Sequence, residues 1–166
     1  HGGNLEKGTD QIAVAAASQA GASLYVVRQP PDLTWHLPST EFRPEASAAL
    51  ARFLGHVDAV VAVHGYGRQG LWTTVLLGGA NRELARSLGD ELRATLGPLG
   101  FSVVDELDEI PRALRGVHPR NPVNLPPGGG VQLELPPRVR RTAGAPTYDP
   151  SYESAVVAAI ASLAGG

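Results

Sequence analysis

An α/β fold, a sheet with helices packed on both faces, is the architecture that this 166-residue sequence predicts. Three observations carry it. Apolar runs of strand length alternate with helix-length segments from one end to the other. Ala59–Val63 is a short continuous apolar run, the pattern of a strand covered on both faces. Capping residues, glycines and prolines mark the helix boundaries.

The elements follow in order. Thr9 is an N-cap for a helix from about Asp10 to Ala20, with Gly21 as its stop. Ser23–Arg28 reads as a strand, and Pro44–Leu54 as a helix ended by Gly55. Ala59–Val63 reads as the central strand, and Trp72–Leu77 as another. Asn81 caps a long helix over Arg82–Leu96, stopped by Gly97 and Pro98. Phe101–Val104 and Val131–Leu135 are further strands. Asp149-Pro150 opens a final helix through Leu163, with proline at its first position. Val156, Ile160 and Leu163 share one face of that helix and are expected to be buried. The segments Arg115–Gly130 and Pro136–Asp149 are rich in Pro, Gly and Asn, and loops of that length in a small domain usually carry function or mobility.

Composition narrows the function classes. The length suits one domain over residues 1–166, with 43% hydrophobic and 18% charged residues. A formal net charge of −2 gives no pull toward nucleic acid or an anionic membrane. Only three Phe are present, and no aromatic-plus-basic platform for single strands. The absence of cysteine excludes thiolate zinc ligands, disulfides and a thiol nucleophile. No transmembrane run or signal peptide stands in the sequence, which leaves secreted and cytoplasmic locations both open, and oligomeric state is not encoded legibly. The chain opens on His1 without an initiator methionine, as a processed or excerpted chain does.

Three segments combine metal-ligand side chains with turn-forming glycine or a strand end: His1-Gly-Gly-Asn-Leu-Glu6, Val61-Ala-Val-His64-Gly65 and Gly130-Val-Gln-Leu-Glu134. Two histidines and one carboxylate are what a catalytic zinc uses when its fourth position stays open for water. A second carboxylate near that water serves as general base. The five-residue separation of His1 and Glu6 does not align them on a helix, where neighbours are three or four apart. In a loop, Gly2 and Gly3 let both reach one ion. The alternative for Glu6 is a favourable interaction with the N-terminus of the following helix. His64 ends an apolar strand, where ligands bind in α/β sheets, or it is a hydrogen-bonded structural residue. Glu134 shares a strand face with Gln132, opposite Val131, Leu133 and Leu135, and the plain alternative is a strand with one solvent face.

These segments, together with Trp35-His36-Leu-Pro-Ser-Thr40, Leu77-Gly-Gly79, Gly116-Val-His118-Pro-Arg-Asn121-Pro-Val-Asn124 and Arg140, resemble the poly-γ-glutamate hydrolase family. The resemblance runs in order from His1 to about Arg140. It implies a zinc-carboxypeptidase-like α/β fold: a three-layer sandwich with a mixed central sheet. It further implies that His1, Glu6 and His64 bind zinc and that Glu134 is the general base. The substrate class it implies is poly-γ-glutamate or another anionic amide. It also implies a strand upstream of His1, which this sequence does not contain.

Further substrate-binding candidates are Arg140, His36, Asn121, Asn124 and Arg82. Arg140 serves an oxyanion or a substrate carboxylate, and the run Arg138-Val-Arg140-Arg141 makes either a basic rim or a solvated loop. Arg82 begins a helix, so its alternative is a solvated surface residue. His36 contacts substrate or supports a ligand, His118 does either or holds its own turn, and Asn121 and Asn124 shape the loop or bind substrate carboxylates. Hydrolysis of a different amide and a non-catalytic binding domain of the same fold are the competing functions. The intact His1, Glu6, His64 and Glu134 argue against the latter.

Overall fold

The computed structural model describes residues 2–140 and 149–165, and local sequence signals account for most of its helix ends. The helix α1 (Thr9–Ala20) follows a left-handed Gly8 and stops at Gly21, whose N–H returns to the carbonyls of Ala17 and Ser18. Thr9 is thus the first helical residue rather than the cap, and its hydroxyl donates to the Glu6 carbonyl at 2.8 Å. The helix expected over Pro44–Leu54 begins later, as α2 (Ala48–Leu54). Ser47 stays extended and accepts the Leu50 N–H, which leaves Pro44–Ala46 as a separate 3-10 turn. Asn81 caps α3 (Arg82–Leu96) through the Leu84 N–H, and Asp149 caps α4 (Pro150–Ser162) through the Ser151 N–H.

Two short strands, β1 (Gly2–Gly3) and β2 (Arg28–Gln29), pair in parallel. The strand expected over Ser23–Arg28 shrinks to this pair, because residues 22–27 find no ladder partner among the described residues. The main sheet comprises β3 (Val60–Gly65), β4 (Thr74–Gly78), β5 (Ser102–Val104) and β6 (Gly130–Leu135), in the order β3-β6-β4-β5. Its ladders are mixed: β3 runs parallel to β6, β4 antiparallel to β6, and β4 parallel to β5.

Among the described residues β3 is an edge strand, which corrects its expected central place. Insertion of β6 between β3 and β4 is a long-range pairing that the apolar run in β3 does not encode. Every residue of β6 is buried, whereas those of β3 are half-buried. A groove of about 180 Å³ lies along β3, with Leu24, Tyr25, Val26, Val61, Val63 and His64 among its lining residues.

Strand alternation sorts the sheet into two chemically distinct faces. Val75, Leu77, Val131, Leu133 and Leu135 pack with Ile12 of α1, Leu88, Leu92 and Leu96 of α3 and Val156 of α4. Burying each such side chain contributes about 1.5–3 kcal/mol. Ile160 and Leu163 pack against this core while remaining partly exposed, and Val156 alone of the three expected residues is fully buried. The opposite face carries Leu76, Gln132, Glu134 and His64. Its cover is the 105–125 segment rather than a further long helix: Leu107, Ile110 and Leu114 pack with Tyr66 and Leu76. The 3-10 turns Arg112–Leu114 and Pro122–Asn124 supply the regular structure there. No helix among the described residues is long and apolar enough to cross a membrane.

Candidate active site

The register of β3 on β6 places His64 directly beside Glu134, and that of β4 on β6 places Leu76 on the far side of Glu134. Neighbouring strands lie about 4.8 Å apart, so both polar side chains leave the same small area of the sheet. Glu6 reaches that area from the turn between β1 and α1. Its carbonyl accepts the Thr9 N–H and hydroxyl, which closes the turn. Its Oε2 accepts the Gly65 N–H at 3.0 Å and lies 3.4 Å from His64 Nδ1. Both carboxylates are buried, Glu6 at 8% exposure and Glu134 at 4%.

Burial without compensation would raise the Glu6 pKa, but the hydrogen bond and charge of His64 hold it below the ordinary value. Burial works against a charged His64, yet its pKa is raised, because Glu6 bonds to it and Glu134 adds a second negative field. Burial pushes the Glu134 carboxyl up, with His64 and a hydrogen bond from Gln132 partly offsetting it. A carboxyl raised toward neutrality is the form suited to taking and returning a proton.

Arg140 ties this arrangement together. Its Nε donates to the Leu135 carbonyl at 3.1 Å, Nη1 to Lys7 at 3.0 Å and Nη2 to Tyr66 at 3.0 Å. These carbonyls end β6, follow Glu6 and follow β3 respectively, so one guanidinium joins the three segments that carry the site. Gly65 is required beside it: a Cβ there would stand 2.3 Å from the Arg140 Cζ. The side chain is 5% exposed and its field acts on both Glu6 and Glu134.

The remaining candidates divide. Asn121 is buried and donates to the Gly116 carbonyl and to Gln132 Oε1 while accepting the Val123 N–H. Asn124 donates to Gly116 and His118 carbonyls and accepts the Ala80 N–H. Both side chains are thereby committed to the loop that covers the sheet. Arg82 donates to the carbonyls of Gly79, Leu77 and Asp105, which replaces the expected solvated surface residue with a clamp on the β4–α3 connection. His36 lies in an exposed segment, and His118 Nδ1 accepts the Arg120 N–H of its own turn. His1 and Arg141 lie outside the described residues. Among the described residues no three His, Asp or Glu side chains gather as a complete metal site.

Two contributors carry weaker sequence signals. Asp10, an ordinary first-turn acid by sequence, accepts the Gly3 N–H at 3.4 Å and the Arg28 Nε–H at 2.8 Å, pinning the glycine turn. Gln132, already on the Glu134 face by strand alternation, donates to Glu134 Oε1 at 2.8 Å.

The model of the family described as poly-gamma-glutamate hydrolase matches residues 1–145. The chain belongs to the poly-γ-glutamate hydrolase family. That membership supports a hydrolase function. Among solved structures, a bacteriophage poly-γ-glutamate hydrolase superposes with a TM-score of 0.70 at 23% identity, over 99% of this chain and 82% of that one. The zinc-free apo structure of YNDL superposes with a TM-score of 0.72 at 23% identity, over 95% of this chain and 78% of that one. Both share the mixed α/β fold. No curated protein matches the chain in sequence.

Proposed function

We propose that the protein is a zinc-dependent hydrolase of γ-glutamyl amide bonds, with poly-γ-glutamate as its substrate class. The observation that carries this reading is the approach of Glu6 Oε2 to His64 Nδ1 at 3.4 Å, beside Glu134. Two ligand atoms on a tetrahedral zinc stand about 3.3–3.5 Å apart when each bond is about 2.0–2.2 Å. The donor pair therefore fits one edge of such a site, and its oxygen and nitrogen donors suit zinc. His1, adjoining the Gly2-Gly3 turn, is the third proposed ligand, and the zinc-free state recorded for YNDL is consistent with a metal in this fold.

When bound, zinc supplies Lewis-acid polarisation of the scissile carbonyl and an acidic water at neutral pH. Glu134 would take a proton from the attacking water and return it to the leaving amine, a shuttle for which its raised proton affinity suits it. The Arg140 guanidinium keeps a fixed positive charge beside the carboxylates, and of its five N–H donors three sites are assigned to carbonyls, leaving capacity for a developing oxyanion. The buried surroundings of Glu134 exclude bulk water from the proton transfer.

A single hydrolase domain over 1–166 is supported by the core that runs continuously from Ile12 to Ala159. Metal analysis of the purified protein, paired with hydrolysis of poly-γ-glutamate with and without a chelator, tests the reading. Stoichiometric zinc and chelator-sensitive cleavage are expected. Zinc-loaded protein that leaves the polymer intact would overturn it.

A further inference from the structure

Gln132 and Asn121 form a buried chain of side-chain amides that ends on Glu134. Asn121 Nδ2 donates to Gln132 Oε1 at 2.8 Å, and Gln132 Nε2 donates to Glu134 Oε1 at 2.8 Å. The three side chains are 2%, 6% and 4% exposed. An amide can be turned end for end, so the direction of such a chain has to be read from its fixed ends. Here the far end is backbone. The Gly116 carbonyl, 3.1 Å from Asn121 Nδ2, takes only a donor, and the Val123 N–H, 3.4 Å from Oδ1, offers only a proton. These two groups fix the Asn121 amide. Asn121 then presents Nδ2 to Gln132, which must answer with Oε1 and so must turn Nε2 toward Glu134.

The slot holding Gln132 is closely shaped. Gly116 has φ of +63°, and a Cβ there would stand 2.5 Å from Gln132 Oε1 and 2.8 Å from its Cβ. Asn124 bonds to the same Gly116 carbonyl at 2.7 Å, which holds the loop against the side chain. Gln132 is thus a side chain with one available pose, and Glu134 Oε2 is left without a hydrogen bond among the described residues.

We propose that Gln132, oriented by Asn121, is a positioning residue that occupies Oε1 of Glu134 and thereby presents Oε2 as the oxygen that takes the proton. This rests on the reading of Glu134 as general base. A carboxylate held through one oxygen keeps a single aim, and proton transfer requires that aim to be held within hydrogen-bond reach. Asn121 touches no reacting group, yet it sets the polarity of the chain. With aspartate at position 121, the acceptor would draw Gln132 Nε2 to itself and turn Oε1 against Glu134.

The test compares Gln132→Met, Asn121→Asp and their double variant in zinc-loaded protein with poly-γ-glutamate, alongside Glu134→Gln. Each single variant should lower kcat by about 10–100-fold, the usual effect of losing a group that orients a functional one, with KM and zinc content unchanged. Asn121→Asp should cost little more in kcat once Gln132 is Met, and Gln132→Met should cost little more once Glu134 is Gln. Thermal melts of each variant show whether it has folded. Nuclear magnetic resonance of the metal-free protein reads the chain without activity: the Gln132 side-chain amide signal, assigned by its loss in Gln132→Met, should move in Asn121→Asp and in Glu134→Gln. A folded Gln132→Met variant with undiminished kcat, or an unmoved amide signal, overturns the proposal. A fully active Glu134→Gln variant overturns the general-base reading itself, and so separates the two failures.

Discussion

Glu6 Oε2 accepts the backbone N–H of Gly65 while standing 3.4 Å from Nδ1 of the adjacent His64. One oxygen thereby fastens the turn before α1 to the end of β3 and faces the imidazole that β3 delivers. The bond to Gly65 orients the carboxylate, so Glu6 has a fixed direction before any cation arrives.

Glu6→Gln should lower zinc affinity by an order of magnitude or more, because a neutral amide replaces a charged oxygen donor. The variant should still fold, since Gln keeps an oxygen acceptor for the Gly65 N–H. Competition with a chromogenic chelator measures the affinity, and unchanged affinity would remove Glu6 from the ligand set.

Glu134→Gln should behave differently. It preserves size and removes the base, so turnover should fall about 10²–10⁴-fold, the usual contribution of general base catalysis. Zinc content should stay at one per chain. Loss of zinc in this variant would make Glu134 a ligand instead of a base.

The metal-free protein should be most stable in mildly acidic solution. Glu6 has a lowered pKa, so its contribution is present above the ordinary carboxyl value and is lost as pH falls through the lowered one. His64 has a raised pKa, so its contribution is present below the ordinary imidazole value and is lost as pH rises through the raised one. Glu134 is raised as well, so its contribution is present below the ordinary carboxyl value and is lost as pH rises through the raised one. Urea unfolding with chelator present should therefore give a maximum at about pH 5–6 and a decline toward about pH 8. Stability that climbs steadily across that range would contradict the pairing of Glu6 with His64.

Gly65→Ala should destabilise the fold by about 1–3 kcal/mol, the usual cost of forcing atoms into a filled space. The added Cβ meets the Arg140 guanidinium, and three carbonyl bonds keep that group from yielding. Urea midpoints measure the loss, and an unaffected midpoint would mean that Arg140 is not clamped.

Leu133→Ala tests whether the two faces of the sheet are separable. Leu133 is fully buried on the helix side of β6, between two residues that face the site. Its truncation should cost about 2–5 kcal/mol in unfolding experiments. Activity well below the melting range should remain within a few-fold of the unsubstituted protein.

The features that depend on near neighbours were legible in the residue order. Asn81 and Asp149 start their helices, and Gly21 stops α1, because caps are satisfied within a few residues. Glu134 and Gln132 share a face because strand alternation has a period of two. The place of β6 between β3 and β4, which leaves β3 at an edge among the described residues, came from the three-dimensional packing, since ladder partners are chosen across long stretches of chain. That packing alone showed that Arg140 and Asn121 spend donors on backbone and that Gln132 reaches Glu134. A buried hydrogen-bond donor must find an acceptor, and which acceptor lies within about 3 Å depends on segments far apart in sequence.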